Sequence, residues 1–489
     1  MSRPAALAFI FVTVLLDMLA LGLIAPVLAP LVVSFLGGDT ARAAEIYGLA
    51  FTLFAAMQFV ASPVIGALSD RFGRRPVVLL SNLGLGLDYV LMALAPNVAW
   101  LLVGRVLSGL TSASITAAGA YVADVTPEDK RAAGFAILGT AFGLGFVLGP
   151  ALGGLLGALG PRVPFWVAAA LSLLNAAYGL VVLPESLPPE RRAAFVWRRA
   201  NPVGALAILR GRPALRGLAA MMFLRHVAHA ALPSTFVLYA TYRYGWDART
   251  VGLALAGVGV GSLVVQGALV APFVRRFGET AALLWGLAFG AAGFADYGLA
   301  PTGTLFCVGI ALLSLWGLSW AASQGLMTRH VAATEQGRLQ GLDGSLRGIA
   351  DLIGPGLFTL TFAYFIAPGR AWELPGAPWL LAAALQIAAL AIVIWGAPKW
   401  PPNPPSLVTP RGTRGAPRFR VEYIGPEMAP QTPHRSSRPG GPGALLDFAL
   451  STWAPKWPPK PNARGARLRR PSIPQRSKPL HAAGQRQDE

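Results

Sequence analysis

The sequence predicts an all-α membrane protein, with twelve transmembrane helices in two pseudo-symmetric six-helix bundles followed by a disordered tail. Three observations predict it. Of 489 residues 54% are hydrophobic and 13% charged, too few charges to clothe a soluble globule of that size. Apolar runs of about 18 to 25 residues, long enough to cross a hydrocarbon core, recur between short polar breaks. The segment Gly66 to Pro76, GALSDRFGRRP, sets Asp70, Arg71, Arg74 and Arg75 in a turn between two such runs, with Gly73 and Pro76 as helix breakers. A turn of that charge lies at a membrane surface, and its arginines put it on the cytoplasmic side.

Counted from this hinge, spans fall near residues 6–30, 47–68, 77–95, 99–122, 132–157, 164–183, 217–240, 250–273, 281–300, 304–326, 343–368 and 377–396. An even number places both termini in the cytoplasm. The inner loops then hold seventeen Lys and Arg, among them Lys130, Arg131, seven arginines from Arg191 to Arg216, Arg275, Arg276, Arg329, Arg338 and Arg347. The outer loops hold five: Arg42, Arg162, Arg243, Arg249 and Arg370. Adding or dropping one early span would destroy this positive-inside bias. The first apolar run contains Asp17 and lacks a small-residue cleavage site, so it reads as the first span and not a removed signal.

The longest inner connection, Pro184 to Arg216, divides the spans six and six. Residues 1–190 are expected to form an N-terminal bundle, 191–216 a cytoplasmic linker and 217–397 a C-terminal bundle. Arg71-Phe72-Gly73 returns as Arg276-Phe277-Gly278, and Gly149-Pro150 as Gly354-Pro355, both at an offset of 205 residues. Two homologous halves holding a substrate between them near the midplane are a common build for secondary transporters. Residues 398–489 are rich in Pro, Gly, Arg and Ser and are expected to be disordered. From Lys399 on they hold sixteen Lys and Arg against five Asp and Glu, which accounts for most of the net charge of +19 and leaves no reason to expect a nucleic-acid partner. The tail reads either as a polybasic attachment to anionic lipid or as a low-complexity extension. The single cysteine, Cys307, excludes an intramolecular disulfide and a thiolate metal cluster. No HExxH or GxSxG is present, and an enzyme is not expected.

Asp17 and Asp88 each lie about 11 residues into a span, roughly 16 Å deep and near the midplane. A carboxylate there costs at least about 2.5 kcal/mol, so it faces a polar cavity, exchanges a proton or is satisfied by backbone. Arg105, about 8 Å from the outer surface, either tunes such a carboxylate or snorkels to the headgroups. Gln58 is a candidate substrate contact or an interhelical hydrogen bond. Gly145, Gly149, Pro150, Gly153 and Gly154 form GxxxGPxxGG in span 5, where small residues let helix backbones approach and proline permits a bend. In span 7, Arg225 and His229 are one turn apart beside His226; a proton role competes with an arginine that reaches the inner interface.

The hinge, the span-1 segment LLDMLALGLIAPVLAP (Leu15 to Pro30), the span-3 LGLDYVLMALAP (Leu85 to Pro96), GRVLSGLTSASITAAGAYVADVTPEDKRA (Gly104 to Ala132) and GLGFVLGPALGG (Gly143 to Gly154) together resemble the major facilitator superfamily. Within it they are most similar to the twelve-span tetracycline/proton antiporters, as far as about residue 397. The resemblance implies the major facilitator fold and proton-coupled efflux of a tetracycline-like or other small amphipathic drug across the bacterial cytoplasmic membrane, by alternating access. Transport of a metabolite, inward or outward, is the alternative. The implied partners are the drug, protons and the lipid bilayer. There is no cofactor beyond the proton gradient and no protein metal site, the drug arriving free or as a metal chelate.

The resemblance carries proton coupling and drug binding to Asp17 and Asp88, and proton transfer to Arg105. It makes Gly66 to Arg75 a gating motif in which Asp70 latches against the second half in the outward-open state and Arg74 pairs with an acid at the inner end of span 4, assigned to Asp124; a solvated turn that only fixes topology is the simpler reading. At the family's third membrane aspartate, in span 9, this chain has Gly290. Asp296, six residues on, either compensates or is an interfacial acid. This departure, with Arg225, His226 and His229, points to a substrate set different from tetracycline.

Overall fold

The computed structural model describes residues 3–396 except 113, 128–130, 194–200, 202, 211, 330, 332–334 and 370–371. The tail expected to be disordered, 398–489, lies outside the described residues, as do Lys130, Arg198, Arg199 and Arg370. The first half contains α1 (Arg3–Phe35), α2 (Thr40–Phe72), α3 (Arg74–Leu94), α4 (Val98–Thr111 continued by Ser114–Val125), α5 (Arg131–Gly157) and α6 (Val163–Val182). After a connection with two short 3-10 turns come α7 (Pro213–Tyr244), α8 (248–277), α9 (279–299), α10 (Gly303–Leu315 continued by Gly317–Thr328), α11 (Gln336–Ile366) and α12 (Ala377–Gly396).

Hydropathy and length alone find ten membrane-crossing rods among the described residues. The other two follow from the local chemistry. The rod Ala248–Leu299 is two spans, because Gly278 breaks it with φ 84° and ψ 166°. Gly73, which separates α2 from α3, has φ 105° and ψ 158°. Both are extended conformations at positive φ that only glycine adopts readily, which is why Arg-Phe-Gly recurs at the two hinges. The other missing span is α7, which carries Arg225, His226 and His229 near its centre and is too polar to register.

Helix caps repeat with the same symmetry. Asp39 and Asp247 accept from the third residue of α2 and α8, at 3.0 and 2.8 Å, while Asn97 and Thr302 do the same for α4 and α10. The bond from Thr250 holds the Asp247 carboxyl below the ordinary carboxylate range. All four caps lie at the end of the bundle opposite the Gly66–Pro76 hinge, called here the distal end. Packing is symmetric too: α1 lies on α5 and α6 as α7 lies on α11 and α12, and α3·α6 and α2·α4 are matched by α9·α12 and α8·α10. Between the halves, α2 packs on α11 and α5 on α8.

Among the described residues the buried apolar side chains form three cores, whose distribution shows where the halves meet. At the distal end one core runs through both, joining Leu23, Val27 and Tyr47 to Phe236, Tyr239, Phe358 and Trp379. At the hinge end there are two. Ile10, Val14, Tyr121 and Leu138 belong only to the first half, and Leu215, Met222, Leu326 and Leu342 only to the second. With α2·α11 and α5·α8 joining the halves at their sides, the two halves therefore part toward the hinge end.

Most observed helices are longer than the predicted spans. The difference matters most in α11, which starts at Gln336 and not near 343. Arg347, counted above as a loop charge, lies eleven residues inside it.

Candidate functional site

Asp17 is buried on α1 and faces α3 and α6 within the first half. Asn175 Nδ2 donates to its Oδ1 at 2.9 Å and to the Thr13 carbonyl at 2.9 Å. Asn82, its amide oxygen accepting from Asn175, turns its NH2 to the two carboxylate oxygens at 3.0 and 3.2 Å. Asn82 and Asn175 have no exposed surface. Two carboxamides from different helices thus hold an acid that hydrocarbon alone would not tolerate.

Six residues, or about 9 Å, further along α3 is Asp88. Its helix begins at Arg74, so Asp88 lies nearer the distal end than the midplane depth expected from the sequence. Ser108 Oγ donates to Asp88 Oδ2, and Arg105 Nη2 lies 3.8 Å from the same oxygen. The guanidinium also donates to Ser108 Oγ at 2.9 Å and approaches Met92 Sδ at 2.9 Å, with Phe54 of α2 5.7 Å away across its face. Arg105 is 6% exposed, so it does not snorkel; its charge is met inside the bundle. Asp88 Oδ1 and Arg105 Nε are buried with no hydrogen-bond partner, leaving each member of the pair an open valence. Gln58 on α2 donates to Ser112 Oγ on α4 at 3.0 Å.

The hinge is tied to its own half. Arg74 Nη1 lies 2.5 Å from Asp70 and 2.6 Å from Ser69 Oγ, and its Nε donates to Asp124 Oδ2 at 3.1 Å. Arg75 reaches the Leu180 carbonyl at 2.6 Å, whereas Arg71 is exposed over Phe72. Gly66 faces Thr116 of α4. Glu185, just beyond α6, accepts the backbone N–H groups of Arg74, Ser186 and Leu187 at 2.9 to 3.0 Å. A Cβ at Gly73 would run into its carboxylate. Sequence reading missed Glu185; the signal available was an acid in Leu-Pro-Glu-Ser directly after a span. Asp70 pairs with Arg74 and its side chain is 49% exposed, which fits halves parted at this end.

The span-5 motif splits between two neighbours. Gly145, Gly149 and Gly153 lie against α1 at Met18, Gly22 and Leu23, while Pro150 and Gly154 present backbone to Gly252 of α8, across the halves.

The second half holds a cluster only partly visible in the sequence. His226 Nε2 is 3.0 Å from Asp343 Oδ1 on α11, and Gln324 of α10 donates to Asp343 Oδ2 at 3.2 Å. Arg225 lies over Trp320, 4.5 Å from the ring centre, and His229 lies beside Trp316. Arg347 pairs with Asp351 at 3.6 Å. Asp343, Arg347 and Asp351, four residues apart, all fall in the predicted span 343–368 and were legible as a stripe on one face, obscured by counting Arg347 as a loop charge. Asp296 is not part of this cluster; it sits three residues from the distal end of α9, its Oδ2 against Gly309.

Gly290 is occupied from outside. A Cβ there would lie 2.6 to 2.9 Å from the Trp316 indole, which fills the space a side chain at this position would enter. Gly290→Asp is expected to lower the amount of folded protein, and Trp316→Ala in the same chain to recover it, as read by detergent-solubilised melting and membrane yield. Equal yields for the parent and Gly290→Asp would contradict this packing.

Twelve spans in two bundles, parted at one end and holding buried carboxylates and an arginine between helices, define a polytopic membrane transporter of the two-half type. The chain belongs to the Major Facilitator Superfamily, whose profile matches residues 10–355. It is 37% identical to the tetracycline resistance protein, class C, of Escherichia coli, over 81% of this chain and 98% of that one. With the class D protein of Salmonella ordonez it shares 33% identity over 81% and 97% of the two chains. Its structure is similar to that of the human organic anion transporter MFSD10 (TETRAN), with TM-score 0.60, 25% identity and coverage of 80% of this chain and 100% of that one.

Proposed function

We propose that the protein exports a drug, tetracycline-like or another small amphipathic compound, across the bacterial cytoplasmic membrane in exchange for protons, by alternating access. The observation that carries the reading is the buried Asp88–Arg105 pair, an acid and a permanent cation kept deep among apolar helices at a cost that a purely structural helix pair has no need to bear. Asp17, in its asparagine cradle, is the second proton-coupling position. Arg74 and Asp124 form the gating contact of the hinge, and Asp70, here paired with Arg74, latches onto the second half when the hinge end closes. By its arginines the hinge end is cytoplasmic, so the conformation described opens inward, with both termini on that side. Residues 1–190 and 217–397 act as the two rocking units about the 191–216 linker.

The test is a resistance panel that includes tetracyclines, comparing the intact chain with Asp17→Asn in a pump-deficient bacterium. The intact chain is expected to raise the inhibitory concentration of at least one compound and Asp17→Asn to return it to the empty-vector value. Unchanged resistance in Asp17→Asn would remove Asp17 from the mechanism. A second reading concerns only the cargo. The indole at Gly290 and the likeness to a protein named as an organic anion transporter favour a substrate that carries negative charge.

A further inference from the structure

Arg225 is 5% exposed, and its Nε and Nη2 have no hydrogen-bond partner. These two nitrogens share one edge of the guanidinium plane, the edge whose parallel N–H bonds match the two oxygens of a planar oxyanion. No carboxylate of the protein takes that edge among the described residues: Asp343 is held by His226 and Gln324, and Asp351 by Arg347. Such an edge is expensive to leave empty in a low-dielectric site. The face of the guanidinium is covered by an aromatic ring, since Trp320 of α10 lies on Arg225, and this indole is itself 37% exposed. One turn away on the same helix His229 is exposed beside Trp316, although it lies in the middle of a 32-residue span.

We propose that Arg225, roofed by Trp320 and approached past His229, recognises the carboxylate of an aromatic substrate. The proposal rests on the export reading above and narrows its cargo. The aromatic body displaces the Trp320 ring from the guanidinium and stacks in its place, the anion takes the Nε and Nη2 edge, and Trp316 forms the far wall. The site exists because α7 bears an arginine where an apolar span would not, and because Trp316 fills the space over Gly290.

Two xanthene dyes separate the possibilities: fluorescein, which carries a carboxylate, and rhodamine 6G, which is cationic and has that group esterified. Inverted vesicles containing the full chain and energised with an imposed pH gradient are followed for uptake of each dye and of tetracycline. The parent is expected to accumulate fluorescein. Arg225→Gln should lower that uptake at least about tenfold, the loss of one bidentate charged contact, and change rhodamine 6G uptake less than about twofold. Arg225→Lys, which keeps the charge but not the edge, should recover only part. Rhodamine 6G or tetracycline uptake without fluorescein uptake by the parent overturns the proposal and leaves the export reading standing. Equal loss of both dyes in Arg225→Gln, or fluorescein uptake within about twofold of the parent, overturns it as well. No gradient-driven uptake of any of the three compounds overturns both.

Discussion

Replacing Asp88 by Asn is expected to stop drug-stimulated proton movement while the protein still reaches the membrane. The amide keeps the shape of the carboxylate and can still accept from Ser108, so the helix contact persists. What disappears is the group that can give up and regain a proton next to Arg105, 3.8 Å away. Removing a positioned proton-transfer group lowers rates by about 10²-fold or more. The readout is the pH change inside proteoliposomes when tetracycline is added. A second consequence is separable from the first. Arg105 is nearly fully buried, and without Asp88 its charge is uncompensated, which costs about 3 to 5 kcal/mol in comparable buried pairs. The double variant Asp88→Asn with Arg105→Gln should therefore melt closer to the parent than Asp88→Asn alone, yet remain unable to move protons. Proton movement at the parent rate in Asp88→Asn would show that the pair serves packing only.

Gly153→Leu is expected to have the largest effect on stability. α1 and α5 cross on bare backbone. A Cβ at Gly149 would sit 2.7 Å from the Gly22 Cα, and one at Gly153 2.8 Å from the Leu23 Cα. Neither neighbour is a side chain that can turn away, so a larger residue forces the helices apart along the longest contact in the first half. Overpacking of this kind costs about 3 kcal/mol or more where backbone must move. Full-length protein in the membrane should fall sharply, and the fraction that remains should melt at lower temperature. Gly139→Leu is the control on the same helix: nothing lies within 4 Å of a Cβ there, and it should behave as the parent. A Gly153→Leu protein with parental yield and melting would mean that the crossing is looser than its geometry implies.

Asp17 and Asp88 read alike in the sequence, as two acids at equal depth, and the structure sets them apart. Asp17 is held by neutral carboxamides, Asp88 by a hydroxyl beside a guanidinium. Depth could be counted from the span boundaries, but the partners could not: Asn82 and Asn175 are 93 residues apart in the chain and meet only because α3 packs on α6. For the hinge the sequence was enough to expect a turn at Gly73 and an arginine in search of an acid. Its anchoring by Glu185, 111 residues away, was not legible.

The amino-acid order alone determined the twelve spans, the two-half repeat and the glycine at each Arg-Phe-Gly hinge. Those features depend on local length, hydropathy and backbone sterics, which act wherever the segment lies. Only the tertiary structure decided that Trp316 packs over Gly290, that Asp343 belongs with His226, and that the halves share one core at the distal end and keep two at the other. Each of these is a meeting of side chains from helices remote in sequence. Hydrophobic pattern says which residues enter the bundle, and helix packing alone selects which of them touch.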